Sequence, residues 1–194
     1  MLKTKILAGL LVFISSFTAL AHEIEADAKP TAIAIYIQAQ DYNNQLRLHH
    51  YSVGYWFSQG PMLENAAVQV LGQDFKEIAM CDDRPSTAKV LLWLRPRMFY
   101  NPQVQTFYGK VIAYAYTPDG KPLANFVGEA EEHGFLDIKP EIHLQAAYQG
   151  AVQAVSAKMQ ADAKVQQALK GPDVSSPCAT AALLPEPKIQ FMGF

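Results

Sequence analysis

Between Gln105 and Leu169 two runs of alternating side chains flank Thr117-Pro118-Asp119-Gly120, and from Pro140 the apolar spacing lengthens to that of a helix. Alternation at period two is a strand signal, and Pro-Asp-Gly supplies the backbone angles of a tight turn. The stretch therefore predicts a β-hairpin followed by one long helix over 140–169, ended by Gly171-Pro172. If Tyr116 faces Lys121, then Ala113 faces Ala124, Val111 faces Phe126 and Gly109 faces Gly128. One hairpin face then carries Phe107, Gly109, Val111, Ala113, Ala115, Ala124, Phe126, Gly128 and Ala130, all apolar or small. Tyr108, Lys110, Ile112, Tyr114, Tyr116, Leu123, Asn125, Val127 and Glu129 fall on the other. A bulge at Gly120 that moved the register by one would mix the two sets, so the separated register is the expected one. The helix stripe of Leu144, Tyr148, Val152, Val155 and Met159, flanked by Ala147, Ala151 and Ala154, fits the small-residue face.

Upstream, Thr31–Gln40 alternates as a strand, with Ile33, Ile35 and Ile37 on one side and Ala32, Ala34 and Tyr36 on the other. Asp41–Asn44 is a turn cluster, and Gln45–Phe57 reads as a second extended segment. Gly60-Pro61 opens a short helix with Met62, Leu63, Ala66, Ala67, Val70 and Leu71 at helical spacing, ended by Gly72. Phe75–Cys81 and Ala88–Leu94 read as strands around a charged turn. The expected fold is α+β: an antiparallel sheet of four to five strands with one short and one long helix packed on one face, over residues 31–171.

The ends of the chain bear on where such a domain works. Met1–Ala21 has Lys3 and Lys5, an apolar run from Ile6 to Leu20, and Ala19-Leu20-Ala21 as a small-x-small site, the pattern of a cleaved secretory signal. No later run is long enough to span a bilayer, so a periplasmic protein is expected, with residues 22–30 as a flexible lead-in. Without the signal, 14 basic residues stand against 18 acidic ones, a net charge of −4 that offers no footprint for nucleic acid. In an oxidising compartment Cys81 and Cys178 favour a disulfide that ties the proline-containing tail, 172–194, although two buried free thiols would also satisfy the sequence.

In the expected sheet Leu91, Trp93, Ile112, Tyr114 and Tyr116 share the face away from the helices, rimmed by Lys89, Arg95 and Lys110. An aromatic patch with a basic rim has the composition of a partner-binding surface. The alternative is cover by residues 42–57, and Trp93→Ala separates the two: a docking face tolerates it and a core does not. Two metal readings are also open. A cleaved N-terminal His22 chelates copper through its amine and imidazole when His49 or His50 completes the site, and Glu129, Glu131 and His133 alternate on one strand face. Nucleophile elbows and phosphate-binding glycine loops are absent, so neither catalysis nor a cofactor is expected.

Arg47, then Tyr55-Trp56, then Gly60-Pro61 leading into an apolar helix resembles the auxiliary lipoproteins of bacterial ABC-type lipid transport systems. The strand Lys110–Tyr116, the turn Asp119-Gly120 and a last helix holding Ala147, Tyr148 and Ala151 extend the resemblance over roughly residues 31–169. Outer-membrane assembly lipoproteins share the broad fold. The resemblance implies a non-enzymatic envelope accessory protein whose partner is an envelope protein or lipid-transport complex. This chain departs from those families in having no cysteine at the end of its signal to carry a lipid anchor.

Overall fold

The computed structural model of the protein describes residues 33–75, 77–81, 87–172, 174–175 and 177–186. The expected signal peptide, the lead-in and His22 lie outside them. In chain order the elements are β1 (Ile33–Tyr36), α1 (Ala39–Tyr42), β2 (Gln45–His50), β3 (Val53–Ser58), α2 (Gln59–Asp74), β4 (Ile78–Met80) and β5 (Thr87–Ala88). They continue with β6 (Val90–Asn101), β7 (Thr106–Tyr116), β8 (Pro122–His133), α3 (Pro140–Ala161), α4 (Ala163–Leu169), β9 (Val174–Ser175) and α5 (Pro177–Ala181).

The main sheet has the order β4-β1-β6-β7-β8. The α+β class stands, but the sheet is mixed rather than antiparallel, because β1 runs parallel to both β4 and β6. A parallel neighbour needs a long crossover, and the stretch from α1 through α2 supplies it between β1 and β4. Ile33, Ala34 and Ile35 are all fully buried, so β1 is covered on both faces, as strands with parallel neighbours are. The segment 45–57 is not one strand but the hairpin β2–β3, turning at Tyr51 with Leu48 opposite Tyr55. β6 runs on past Leu94 to Asn101, through Pro96. Among the described residues β1 ends opposite Trp93, so Pro96 stands where β6 has no neighbour on that side and a missing N–H costs little.

The hairpin β7–β8 pairs Ala113 with Phe126, Val111 with Gly128 and Gly109 with Ala130, two positions away from the expected register. Gly120 takes a left-handed φ of 87°, Lys121 stays in the turn, and Leu123 is an extra residue opposite the step from Ala115 to Tyr116. Because the total offset is even, the small-residue face and the tyrosine face remain as expected.

α3 lies across the small-residue face and buries Leu144, Ala147, Tyr148, Ala151, Val152, Val155 and Met159. Its seat depends on two missing side chains. A Cβ on Gly109 would stand 2.7 Å from the Ala147 carbonyl oxygen, and one on Gly128 would stand 2.8 Å from Val155 Cγ2 and closer still to the Ala151 carbonyl. The expected single helix over 140–169 is two helices. Asp162 leaves helical geometry and accepts hydrogen bonds from the Lys164 and Val165 backbone N–H groups at 2.9 and 3.0 Å, capping α4 as a new helix. α2 continues two residues beyond Gly72 and packs on α3, where the buried Tyr148 hydroxyl donates to Gln59 Oε1 at 2.8 Å. Among the described residues no helix is long and apolar enough to cross a membrane.

Candidate functional site

The sheet face opposite α2 and α3 brings together Leu91, Trp93, Arg95, Lys110, Ile112, Tyr114 and Tyr116. The β6–β7 register sets Leu91 beside Tyr116, Trp93 beside Tyr114, Arg95 beside Ile112 and Arg97 beside Lys110, and β1 adds Tyr36 next to Trp93. Tyr36 meets Trp93 edge to face at 5.4 Å, and Trp93 meets Tyr114 at 6.3 Å. Toward the end of the strands Phe99 pairs with Tyr108, their rings 6.0 Å apart.

Most of this face is covered, and not by residues 42–57. Leu48 and Phe57 of the β2–β3 hairpin face the helix-side core instead. Among the described residues the C-terminal segment 177–186 lies over its Leu91 and Tyr36 side, and Asp41 of α1 lies on Arg95. Cys178 is bonded to Cys81, which stands just past β4, and β9 pairs with β5, with Val174 opposite Ala88. Ala181 then packs with Ala34, Ala88 and Leu91, and Tyr36, Tyr116 and Leu184 lie against that cluster. At the end of the described segment Glu186 Oε1 accepts from Arg95 Nη2 at 3.0 Å. Trp93 lies on β6 between Leu91 and Arg95 and is 2 % exposed. It is a core residue by environment, which puts it on the buried side of the alternative that Trp93→Ala separates. Burial beside Tyr114 pushes the Tyr116 phenol above its ordinary pKa.

Arg95 is the charged centre of the face. Its Nε donates to Asp41 Oδ2 at 2.9 Å, and Asp41 Oδ1 lies 3.9 Å from Arg97 Nη1. Two buried donors, Trp93 Nε1 and Arg95 Nη1, have no hydrogen-bond acceptor among the described residues. A buried donor left unmet costs about 1–3 kcal/mol.

Beyond Arg95 the face opens into a cleft of about 550 Å³, lined by Phe99, Asn101, Tyr108, Lys110, Glu129 and Glu131 with the backbone of Gly109 and Ala130. Lys110 is buried and pairs with Glu129 at 2.9 Å. Phe99 is 46 % exposed. An aromatic pair, a buried cation and an acidic rim in a cavity of this size can hold an apolar group with a polar end. Sequence reasoning included Lys110 and Tyr108 in this face but missed Phe99, because the strand was read as ending at Leu94, whereas β6 runs on to Asn101. It also missed Asp41 and Glu186, whose pairing with Arg95 depends on contacts distant in sequence.

Glu129, Glu131 and His133 do not form a metal site. Glu129 is held by Lys110, His133 Nδ1 shares a 2.9 Å hydrogen bond with Thr106 Oγ1, and no cluster of three metal-ligating side chains occurs among the described residues. Arg47 of the resemblance motif stacks on Trp56 at 5.3 Å on the outer side of the β2–β3 hairpin, and Trp56 is exposed.

No family model and no curated protein matches this sequence. Among solved structures, a protein of the DUF330 family from Xanthomonas campestris is similar over 71 % of this chain and 86 % of its own, at 13 % identity and a TM-score of 0.45. A candidate lipoprotein from Caulobacter crescentus is similar over 59 % of this chain and 86 % of its own, at 16 % identity and a TM-score of 0.36. Both likenesses are too loose for a shared fold to follow. One of the two proteins is described as a lipoprotein, and neither is described as part of lipid transport.

Proposed function

We propose that this is an exported, periplasmic, non-catalytic accessory protein that binds a protein partner of the bacterial envelope on the aromatic face of its sheet. The signal-like leader and the Cys81–Cys178 disulfide support an oxidising address outside the cytoplasm. The observation that carries the binding reading is the cleft at Phe99, Tyr108 and Lys110, at the end of the line of aromatics on this face. Aromatic side chains are the residues that binding interfaces concentrate, and a cleft with one buried cation supplies both an apolar pocket and a fixed polar contact. The partner places an apolar side chain against Phe99 and Tyr108, with a polar atom near Lys110. A photo-reactive amino acid in place of Phe99, in cells carrying the exported protein, should form one adduct of fixed mass. The same substitution at Val68, exposed on α2, should form none. Equal labelling from both positions, or no adduct from Phe99, would refute the assignment of the face.

A further inference from the structure

Residues 177–186 are attached to the aromatic face without belonging to its sheet. None of them pairs with β1, β6 or β7, and among the described residues their hold includes the disulfide at Cys178, the packing of Ala181 and Leu184 near Leu91 and Tyr36, the approach of Thr180 and Leu184 to Gly120, and the contact of Glu186 with Arg95. We propose that this segment is a strap that competes for the face. It occupies the place of a partner segment of like chemistry, an aliphatic residue followed two positions later by a carboxylate, as Leu184 is followed by Glu186. The inference rests on the binding reading above and names what the partner offers there.

Three observations support it. The first is charge: Arg95, Arg97 and Lys110 lie together on the face, and the carboxylates that meet them among the described residues include Asp41, Glu129 and, from the strap, Glu186. An incoming carboxylate is the group this surface accepts. The second is how differently the two anions on Arg95 are held. Asp41 is 10 % exposed and fixed at the sheet, whereas Glu186 is 57 % exposed and is the one that can leave. Release of Glu186 and Leu184 is therefore the step that uncovers Arg95, with the strap still tethered at Cys178 by the disulfide. The third is fit. Trp93 Nε1 and Arg95 Nη1 stay without acceptors among the described residues while the strap is in place. A segment that brings its own backbone carbonyls or a second carboxylate oxygen satisfies donors the strap does not, and that difference in affinity is what exchange requires.

The probe is a synthetic peptide of residues 179–186, Ala-Thr-Ala-Ala-Leu-Leu-Pro-Glu, titrated by NMR into the full chain. With the strap closed, wild-type protein should bind it at least tenfold more weakly than a full-chain variant carrying Leu184→Ala and Glu186→Ala. A peptide ending in Gln instead of Glu should lose at least fivefold in affinity for that variant. Equal affinity of both proteins, no binding to either, or indifference to the carboxylate would overturn the proposal. If the double variant fails to fold, reduction of the wild-type disulfide supplies the second arm: binding must rise on reduction and fall on reoxidation, and a constant affinity again overturns it. Failure here, with the Phe99 adduct still formed, would leave the binding face in place and remove only the strap.

Discussion

Glu186 reaches Arg95 at 3.0 Å, joining the C-terminal segment to the buried middle of the sheet, and Arg95 holds Asp41 at 2.9 Å on its other side. One arginine thus carries two carboxylates in different environments, and their removal should have different consequences. Asp41→Ala leaves a buried guanidinium short of its fixed counter-ion and should cost about 3–5 kcal/mol. Glu186→Ala removes an exposed partner and should cost under about 1 kcal/mol. Urea unfolding of the two variants checks the contrast, and equal losses would mean that both carboxylates are structural.

The seat of α3 predicts a second asymmetry, among glycines. Gly128→Ala and Gly109→Ala drive a methyl into the α3 backbone and should each destabilise by about 1–3 kcal/mol or more. Gly72→Ala has only Ile78 Cδ1 near it, at 4.0 Å, and lies inside a helix, so it should stabilise by about 0.5–1 kcal/mol. Thermal unfolding should order the three accordingly. A neutral Gly128→Ala would mean that the helix is not pressed against the hairpin as described.

Tyr148 predicts the alkaline behaviour of the fold. Burial holds its phenol well above the ordinary value near 10, so it stays protonated in the folded protein while the unfolded chain ionises. Its contribution to stability is complete below pH 10 and is lost as pH rises further, because only the unfolded state releases the proton. Tyr148→Phe should cost about 1–3 kcal/mol at pH 7, where Gln59 loses its donor, and should flatten the decline in stability above pH 10. Denaturation at pH 7 and pH 11 measures both. An unchanged slope would assign the alkaline loss to other groups.

The sequence made the hairpin and its two faces legible because side-chain alternation survives any even shift of register. It could not give the register itself, since Leu123 as an extra residue and Lys121 within the turn leave the pattern of faces intact. The parallel pairing of β1 was also written there, in Ile33, Ala34 and Ile35 being apolar on both sides, but such a run reads equally as an alternating strand. Asp162 was hidden inside an otherwise helical pattern, and its cap on α4 is visible only from its hydrogen bonds. For the site, composition marked the right face and strand periodicity named its residues. The disulfide that ties the tail was legible from the two cysteines, but where the tail then lies depends on contacts such as the Arg95–Glu186 salt bridge, across 91 positions, which no local pattern encodes.

On the proposed reading, the aromatic face binds a partner at the cleft of Phe99 and Tyr108. The most direct measurement is the affinity of the purified full chain for the protein captured at Phe99, compared among Phe99→Ala, Tyr108→Ala and Val68→Ala. The two cleft variants should lose at least tenfold in affinity with melting temperatures close to wild type, and Val68→Ala should bind as wild type does. Unchanged affinity in Phe99→Ala and Tyr108→Ala would contradict the claim.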